Sequence, residues 1–441
     1  MRISVIGCGY LGAVHAAAMV SLGHTVIGVD VDEARVQSLA HGLVPFYEPG
    51  LPELLTEGLA TGRLSFSTVM DDVKRARLHF LAIGTPQTES GAADLGFLFT
   101  AVAQLVPLLS PGDLVVGKST VPVGVAARIA EVVESAGARL AWNPEFLREG
   151  RAVVDTLSPD RMVYGVREGD NEAVALLDRV YEQILESGTP RMVTDFATAE
   201  LVKVAANAFL ATKISFINAM AEVAEASGAN IDQLADALGQ DPRIGRKFLN
   251  SGLGFGGGCL PKDIRGFVSR GEELGVDLGF LREVESINLR RRQRVIDLAV
   301  DELGGSVVGK RITILGLAFK PNSDDVRDSP ALDVARRLVE LGAVVHATDP
   351  QALETARRST PGLDYHADVP DALRGAELVL VLTEWEAFTG LDPELAASLV
   401  MNRTVIDGRN CLDSVAWQRA GWRVLALGHA VPAKLSPQAV R

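Results

Sequence analysis

The sequence predicts an α/β protein in which two doubly wound parallel-sheet domains are joined by a long central helix and a helical domain. Three observations predict it. A short apolar run, Arg2 to Ile6, leads into Gly7-Cys8-Gly9-Tyr10-Leu11-Gly12 and then into helix formers, Ala13 to Leu22. A strand, turn and helix recur from Lys310, and between the two units lies an alanine-rich, proline-free stretch from Asp195 to Leu238. Two Rossmann-like units thus flank a helical centre. The expected segments are 1–194, 195–305 and 306–441.

In the first unit, a second apolar run, Thr25 to Val29, ends at Asp30, 18 positions beyond Gly12. This is the spacing of a dinucleotide site. The glycines permit a tight turn and close approach of a pyrophosphate, the helix N-terminus favours the phosphates, and the acid accepts hydrogen bonds from a ribose. Asp30 disfavours a 2′-phosphate, which favours NAD over NADP; Arg35 leaves the opposite reading open. Further strands are expected at Leu78 to Ile83, ending in Gly84-Thr85-Pro86, and at Leu114 to Lys118, ending in Ser119-Thr120. Ligands of open α/β sheets gather beyond the carboxyl ends of strands. Thr85, Pro86 and Thr120 are therefore candidate contacts, with plain turn chemistry as the alternative.

The stretch Asp195 to Leu238 is expected to be helical, which sets Lys203 and Asn207, four positions apart, on one face. A lysine and an amide aimed at one point can bind an oxyanion; a solvated lysine beside a capping asparagine is the plainer reading. Gly254 to Asp263 (GFGGGCLPKD) places Cys259 behind glycines and ahead of Lys262. Glycines allow close approach of a ligand, and nearby positive charge favours a thiolate. Cys259 reads as a nucleophile or as a structural thiol in a glycine loop. The helical stretch Phe280 to Glu302 carries Arg290, Arg291, Arg292 and Arg294, expected to form a solvated face.

The second sheet begins at Lys310 to Leu315, followed by Gly316 to Pro321, and continues through Val344 to Thr348, Leu378 to Leu382 and Thr404 to Ile406. Asp349 follows its second strand as Asp30 does in the first. The glycine fingerprint is incomplete here, so no second dinucleotide is expected; Lys320 and Arg327 are candidates for the phosphates of another nucleotide.

The 441 residues suit two or three domains. Hydrophobic residues at 47% and charged residues at 22% fit a globular chain. A net charge of −13 argues against a nucleic-acid surface. Three cysteines, Cys8, Cys259 and Cys411, suit a reducing compartment, with cytoplasm the simplest. No membrane span and no metal ligand set is expected.

Ten motifs in order resemble the nucleotide-sugar dehydrogenase family over essentially the whole chain. They are GCGYLG at 7–12, FYEPGL at 46–51, GTP at 84–86, STVPVG at 119–124, NPEFLREG at 143–150, ELVKVAANAF at 200–209, GFGGGCLPKD at 254–263, AFKP at 318–321, TEW at 383–385 and DGRN at 407–410. The resemblance implies two successive NAD-dependent oxidations that take the C6 alcohol of a UDP-sugar, UDP-glucose by the FYEPGL and TEW segments, to a carboxylate. GDP-mannose and UDP-N-acetylhexosamines are the rival substrates. A one-step hydroxyacid-type dehydrogenase or a non-catalytic nucleotide-sugar binder are the rival classes.

By the same resemblance, Cys259 forms a thiohemiacetal and then a thioester, while Lys203 and Asn207 stabilise the oxyanion. Asp263 and Thr120 hold a water or assist proton transfer, and Glu145 activates water. NAD is faced by Gly7, Gly9, Tyr10, Leu11, Gly12, Asp30, Arg35, Thr85, Pro86, Thr120, Glu149, Lys262 and Arg327. The UDP-sugar is contacted by Glu145, Phe146, Leu147, Arg148 and Glu149, by Lys203, Asn207, Arg243 and Phe248, by Asn250, Ser251, Gly252, Phe255 and Gly256, and by Phe319, Lys320 and Arg409. A homodimer or higher homo-oligomer is implied, with Arg243 reaching the partner's site.

Overall fold

The computed structural model describes residues 1–88 and 91–431. They group into two compact units. The first comprises Met1–Asn207 and Lys262–Asp277; the second comprises Ala208–Pro261 and the chain from Leu278 onward.

The first unit is built on eight strands: β1 Arg2–Ile6, β2 Thr25–Val29, β3 Leu64–Ser67, β4 Leu78–Leu81, β5 Leu114–Gly117, β6 Arg139–Trp142, β7 Met162–Val166 and β8 Arg191–Thr194. Their order is β3-β2-β1-β4-β5-β6-β7-β8. Every pair is parallel except β6 with β7, where Trp142 faces Gly165 in antiparallel register. The sheet is therefore parallel from β3 through β6 and mixed beyond it. Strands β4 and β5 are buried along their whole length, as strands covered on both faces must be. One core lies around Val5, Phe80 and Tyr164, the other around Ile6, Val115 and Trp142. At Gly117 an added Cβ would lie 2.1 Å from the Trp142 ring, so glycine alone lets that indole cover the strand.

The second unit holds a six-stranded sheet of β9 Arg311–Leu315, β10 Val344–Thr348, β11 Asp364–Tyr365, β12 Leu378–Val381, β13 Thr404–Asp407 and β14 Arg423–Ala426. The order is β11-β10-β9-β12-β13-β14, and every pair is parallel. Both sheets therefore reverse their strand order beside their first strand, at β1/β4 and at β9/β12, which is where doubly wound sheets open a crevice.

The stretch read as one helix from Asp195 to Leu238 is two, Phe196–Ser227 and Ile231–Gly239. Gly228 takes a left-handed φ of 77°, which ends the first helix. Asn230 then caps the second by accepting from the Asp232 and Gln233 amides. Among the described residues, Phe196–Ser227 is long and apolar enough by composition to cross a bilayer, which the sequence reading did not anticipate. Its charges are tied into protein: Glu200 accepts from the Gly124 and Ala126 amides, Lys213 donates to the Ile244 carbonyl, and Glu225 pairs with Arg291.

The arginine cluster on Gly279–Glu302 is not a solvated face. Arg291 is wholly buried against Glu225 at 2.9 Å. Arg292 is buried against Asp328 at 3.0 Å. A helix that looks charged all round in sequence here carries internal ion pairs, and only Arg290 keeps half its side chain in solvent.

Candidate active site

The first unit's crevice is shaped by its glycines. Gly7 has φ 87°, and a Cβ on Gly12 would lie 1.7 Å from the Gly7 carbonyl oxygen, so turn and helix can touch only as glycines. Gly9 differs: an added Cβ would meet nothing within 4 Å. The chain itself leaves room there. Gly9 is also the N-cap of the Tyr10–Ser21 helix and offers no side-chain cap, which leaves first-turn amides for an anion. This fits a dinucleotide pyrophosphate.

Asp30 is buried and accepts from the Cys8 amide at 2.7 Å and the Asp32 amide at 2.9 Å. Its remaining partner is Arg35, 3.0 Å away on a side chain 35% exposed. The Tyr10 hydroxyl donates to Glu48, a buried carboxylate that also accepts from the Gly150 and Ala152 amides at 2.7 Å. Glu48 thus ties the FYEPGL, GCGYLG and NPEFLREG segments together, a structural role that sequence reading missed although the residue lay inside a quoted motif. Thr85 donates to the Thr120 carbonyl at 2.8 Å, and the Pro86 carbonyl accepts from Asp94 at 2.7 Å.

Two charged groups meet in this unit. Lys203 Nζ lies 2.9 Å from Glu145 Oε1, while Glu145 Oε2 accepts from the Leu147 amide at 2.7 Å. Asn207 Nδ2 donates to Asp263 Oδ2 at 2.6 Å, and Lys262 Nζ donates to Asp263 Oδ1 at 2.7 Å. Lys203, Asn207 and Asp263 are all buried, so neither Lys203 nor Asn207 is solvated. A cavity of about 30 Å³ is bordered by Thr120, Lys262 and Asp263, room for about one or two waters. Phe146 stacks under Arg161, whose guanidinium carbon is 3.9 Å from the ring centre. Arg148 is held by Asp155, and Glu149 is half-buried.

Lys118 is the residue that sequence reading passed over. It is buried, donates to Asn143 Oδ1 at 3.0 Å and sits 5.9 Å from the Phe80 and Tyr181 ring centres. Burial pushes its pKa down to about 8, with the Glu145 charge opposing and the Lys203 charge adding to the shift. Leu11, His15 and Glu145 border the same cavity of about 50 Å³ as Lys118. The available signal was a lysine closing a fully apolar strand two residues before Thr120.

In the second unit Cys259 is exposed, whereas Cys8 is buried and Cys411 half-buried. Burial pushes both of those thiols up, Cys8 further by Asp30 and Cys411 further by Asp407. The glycines before Cys259 are packing sites: a Cβ on Gly256 would lie 2.3 Å from the Asp328 carbonyl, one on Gly257 2.7 Å from the Phe319 ring, and one on Gly258 2.3 Å from the Arg327 guanidinium.

Arg409 donates to the Leu382 carbonyl at 2.8 Å, the Gly254 carbonyl at 2.8 Å and the Phe319 carbonyl at 3.2 Å. It therefore braces the cysteine loop against two strand ends. The loop is also fixed at Gly252, whose amide donates to Asn218, at Ser251, whose hydroxyl accepts from Asn410, and at Phe255, whose amide and carbonyl both bind Asn288. Asn250 accepts from Arg246 at 2.7 Å, and Phe248 has a left-handed φ of 67°, uncommon for a bulky side chain. Lys320 lies 5.2 Å from the Phe319 ring centre, and Arg327 pairs with Asp325. Arg243 is 88% exposed beside Asp241.

Asp349 ends β10 as Asp30 ends β2, but its carboxylate is fully engaged. It accepts from the Leu317, Ala318, Gln351 and Ala352 amides at 2.7–3.0 Å and from Trp385 Nε1 at 3.1 Å.

Residues 1–185 match the NAD binding domain of the UDP-glucose/GDP-mannose dehydrogenase family, 197–290 its central domain and 313–414 its UDP binding domain. The chain is 39% identical over 442 residues to a UDP-glucose 6-dehydrogenase of Rickettsia felis, covering 98% of each. It is similar to a UDP-glucose dehydrogenase structure from Pyrobaculum islandicum at TM-score 0.89 and 38% identity, covering 97% of this chain and 98% of that one. The UDP-D-ManNAc dehydrogenase of Pyrococcus horikoshii matches at TM-score 0.85 and 25% identity, covering 98% of this chain and 100% of that one. With an NAD-binding first sheet, a UDP-binding second sheet and relatives aligned end to end, the chain belongs to the UDP-glucose/GDP-mannose dehydrogenase family.

Proposed function

We propose that this enzyme oxidises UDP-glucose to UDP-glucuronate with two NAD per sugar, through a covalent adduct on Cys259. The observation that carries the reading is the exposure of Cys259 in a chain whose other two thiols are withdrawn and held protonated. The UDP-glucose dehydrogenase relatives at 38–39% identity, against 25% for the UDP-D-ManNAc enzyme, support glucose as the sugar.

NAD, when bound, accepts a hydride from the sugar at each step. The residues proposed to face it are Gly7, Gly9, Tyr10, Leu11, Gly12, Asp30, Arg35, Thr85, Pro86, Thr120, Glu149, Lys262 and Arg327. In the first oxidation C6 loses a hydride, and its hydroxyl proton passes toward Asp263 or the water proposed beside Thr120. The Cys259 thiolate then adds to the aldehyde carbon. Lys203 and Asn207 stabilise the oxyanion of that adduct by charge and hydrogen bond. Loss of a second hydride leaves a thioester, and water activated by Glu145 cleaves it to carboxylate and free thiol. The Lys203–Glu145 pair supports this division, since it holds the carboxylate beside the amine proposed to face the oxyanion.

We further propose a cytoplasmic homodimer. An exposed thiol fits a reducing compartment. Phe209, Phe216 and Val223 are all exposed, at steps of seven along the Phe196–Ser227 helix, an apolar stripe suited to a partner helix. The exposed Arg243 is proposed to reach the partner's sugar site. Phe216→Glu is expected to shift the mass measured by light scattering from dimer toward monomer; an unchanged mass removes the stripe from the interface.

The reaction is tested by stoichiometry. Purified enzyme with limiting UDP-glucose is expected to form two NADH per sugar, and Cys259→Ser to abolish net acid formation. One NADH per sugar, or full turnover by the serine variant, overturns the thioester route. A faster rate on GDP-mannose overturns the sugar assignment.

A further inference from the structure

We propose that His346, Asp364 and His366 form a binding site for a divalent transition-metal ion of the zinc class at the edge of the second sheet. His346 lies on β10 and Asp364 on β11, in direct register with one another. His366 follows β11, its amide donating to the Ala347 carbonyl. The three side chains converge: His346 Nδ1 lies 2.8 Å from His366 Nε2 and 2.9 Å from Asp364 Oδ2, and His366 Nε2 lies 3.5 Å from that same oxygen.

Donor atoms bound to zinc at about 2.0–2.1 Å in tetrahedral geometry stand about 3.3 Å apart. The three observed separations bracket that edge length. Hydrogen bonding alone serves the trio poorly, because His346 Nδ1 carries at most one proton and faces two heteroatoms at once. One ion set just out of the plane of the triangle, toward its open side, serves all three contacts.

Two imidazoles and a carboxylate are a mixed nitrogen and oxygen set, which suits zinc, cobalt or nickel and disfavours calcium or magnesium. The fourth position falls to water on the open side, where Asp364 is 58% exposed. His346 is buried, and burial together with the adjacent Arg311 charge holds its pKa below the usual imidazole range. Arg311 opposes the incoming cation and Asp364 offsets it. The site would clip β11, a strand of only two residues, onto β10. It is independent of the dehydrogenase reading, since none of its residues belongs to the proposed catalytic machinery.

The test is zinc titration of chelator-stripped, full-length protein by calorimetry, alongside His366→Gln and Asp364→Asn. Both substitutions fall at partly exposed side chains, and circular dichroism melts confirm that each variant folds. The wild type is expected to bind one equivalent of zinc more than either variant, or to bind it at least about tenfold more tightly, with a raised melting temperature on zinc addition. Cobalt substitution separates this site from thiols, since nitrogen and oxygen ligation gives ligand-field absorption without thiolate charge-transfer bands. Equal zinc stoichiometry and affinity in the wild type and both variants, or a thiolate-type cobalt spectrum lost with neither substitution, overturns the proposal.

Discussion

The Asn207 amide donates to Asp263 at 2.6 Å, and Lys262 holds the other oxygen of the same carboxylate at 2.7 Å. Asp263 therefore fixes which way the Asn207 amide faces, with its oxygen turned away from the carboxylate. Asp263→Asn removes the charge that Lys262 needs and leaves Asn207 facing an amide of ambiguous orientation. A fall in kcat of about 100-fold or more is expected, with a smaller change in KM for UDP-glucose. Steady-state kinetics check it, and an unchanged kcat removes Asp263 from the proton pathway.

Thiol reactivity should follow exposure. Native protein treated with iodoacetamide is expected to carry one label, at Cys259, while Cys8 and Cys411 react only after unfolding. Peptide mass spectrometry reads this directly. Fast labelling of Cys8 would contradict its burial.

Lys118 makes stability depend on alkaline pH. Its folded pKa of about 8 lies below the ordinary 10.5, so between those values the unfolded chain binds the extra proton and stability rises with pH. Lys118→Met should abolish that rise, a difference on the order of 3 kcal/mol across the window. Urea unfolding of both proteins at the two ends of the window measures it. A stability gap that stays constant with pH refutes the assignment.

Glu225 acts in the opposite range. Burial raises its pKa, but Arg291, the Gly428 amide and Arg294 outweigh burial and hold it below the ordinary 4.5. Its stabilisation is present above pH 4.5 and is lost as pH falls through the lower folded value. Glu225→Gln leaves the buried Arg291 with only the more distant Glu222 carboxylate, 4.0 Å away, and should cost about 3 kcal/mol at neutral pH. The gap from wild type should narrow in acid, as chemical denaturation at both pH values would show.

Much of this was legible in the chain. Strands β1, β2 and β10 fall where apolar runs ended in glycine or aspartate, because parallel strands buried on both faces leave an uninterrupted apolar trace. The break at Gly228 was missed, because helix formers resume at once and only the left-handed φ and the Asn230 cap reveal it. Arg291 and Arg292 were misjudged since their partners, Glu225 and Asp328, are remote in sequence. The antiparallel β6/β7 pairing depends on how the chain returns after Trp142, which no local pattern encodes. Lys203 and Asn207 were found as a pair on one helix face, but Glu145 and Asp263, which engage them, come from distant segments that only the family resemblance linked.

Asp30 and Asp349 occupy equivalent positions in two sheets that share one order over six strands, and they differ in what is left to them. Asp349 has every lone pair answered from within the chain, with an indole added to four amides. It is a rivet. Asp30 has two amides and one arginine that can swing aside, so it can still exchange a partner for a guest. A scaffold repeated in one polypeptide is thereby given two uses for the same acid: whether it can trade its contacts decides which carboxylate can take up a ribose hydroxyl and which only holds its own walls together.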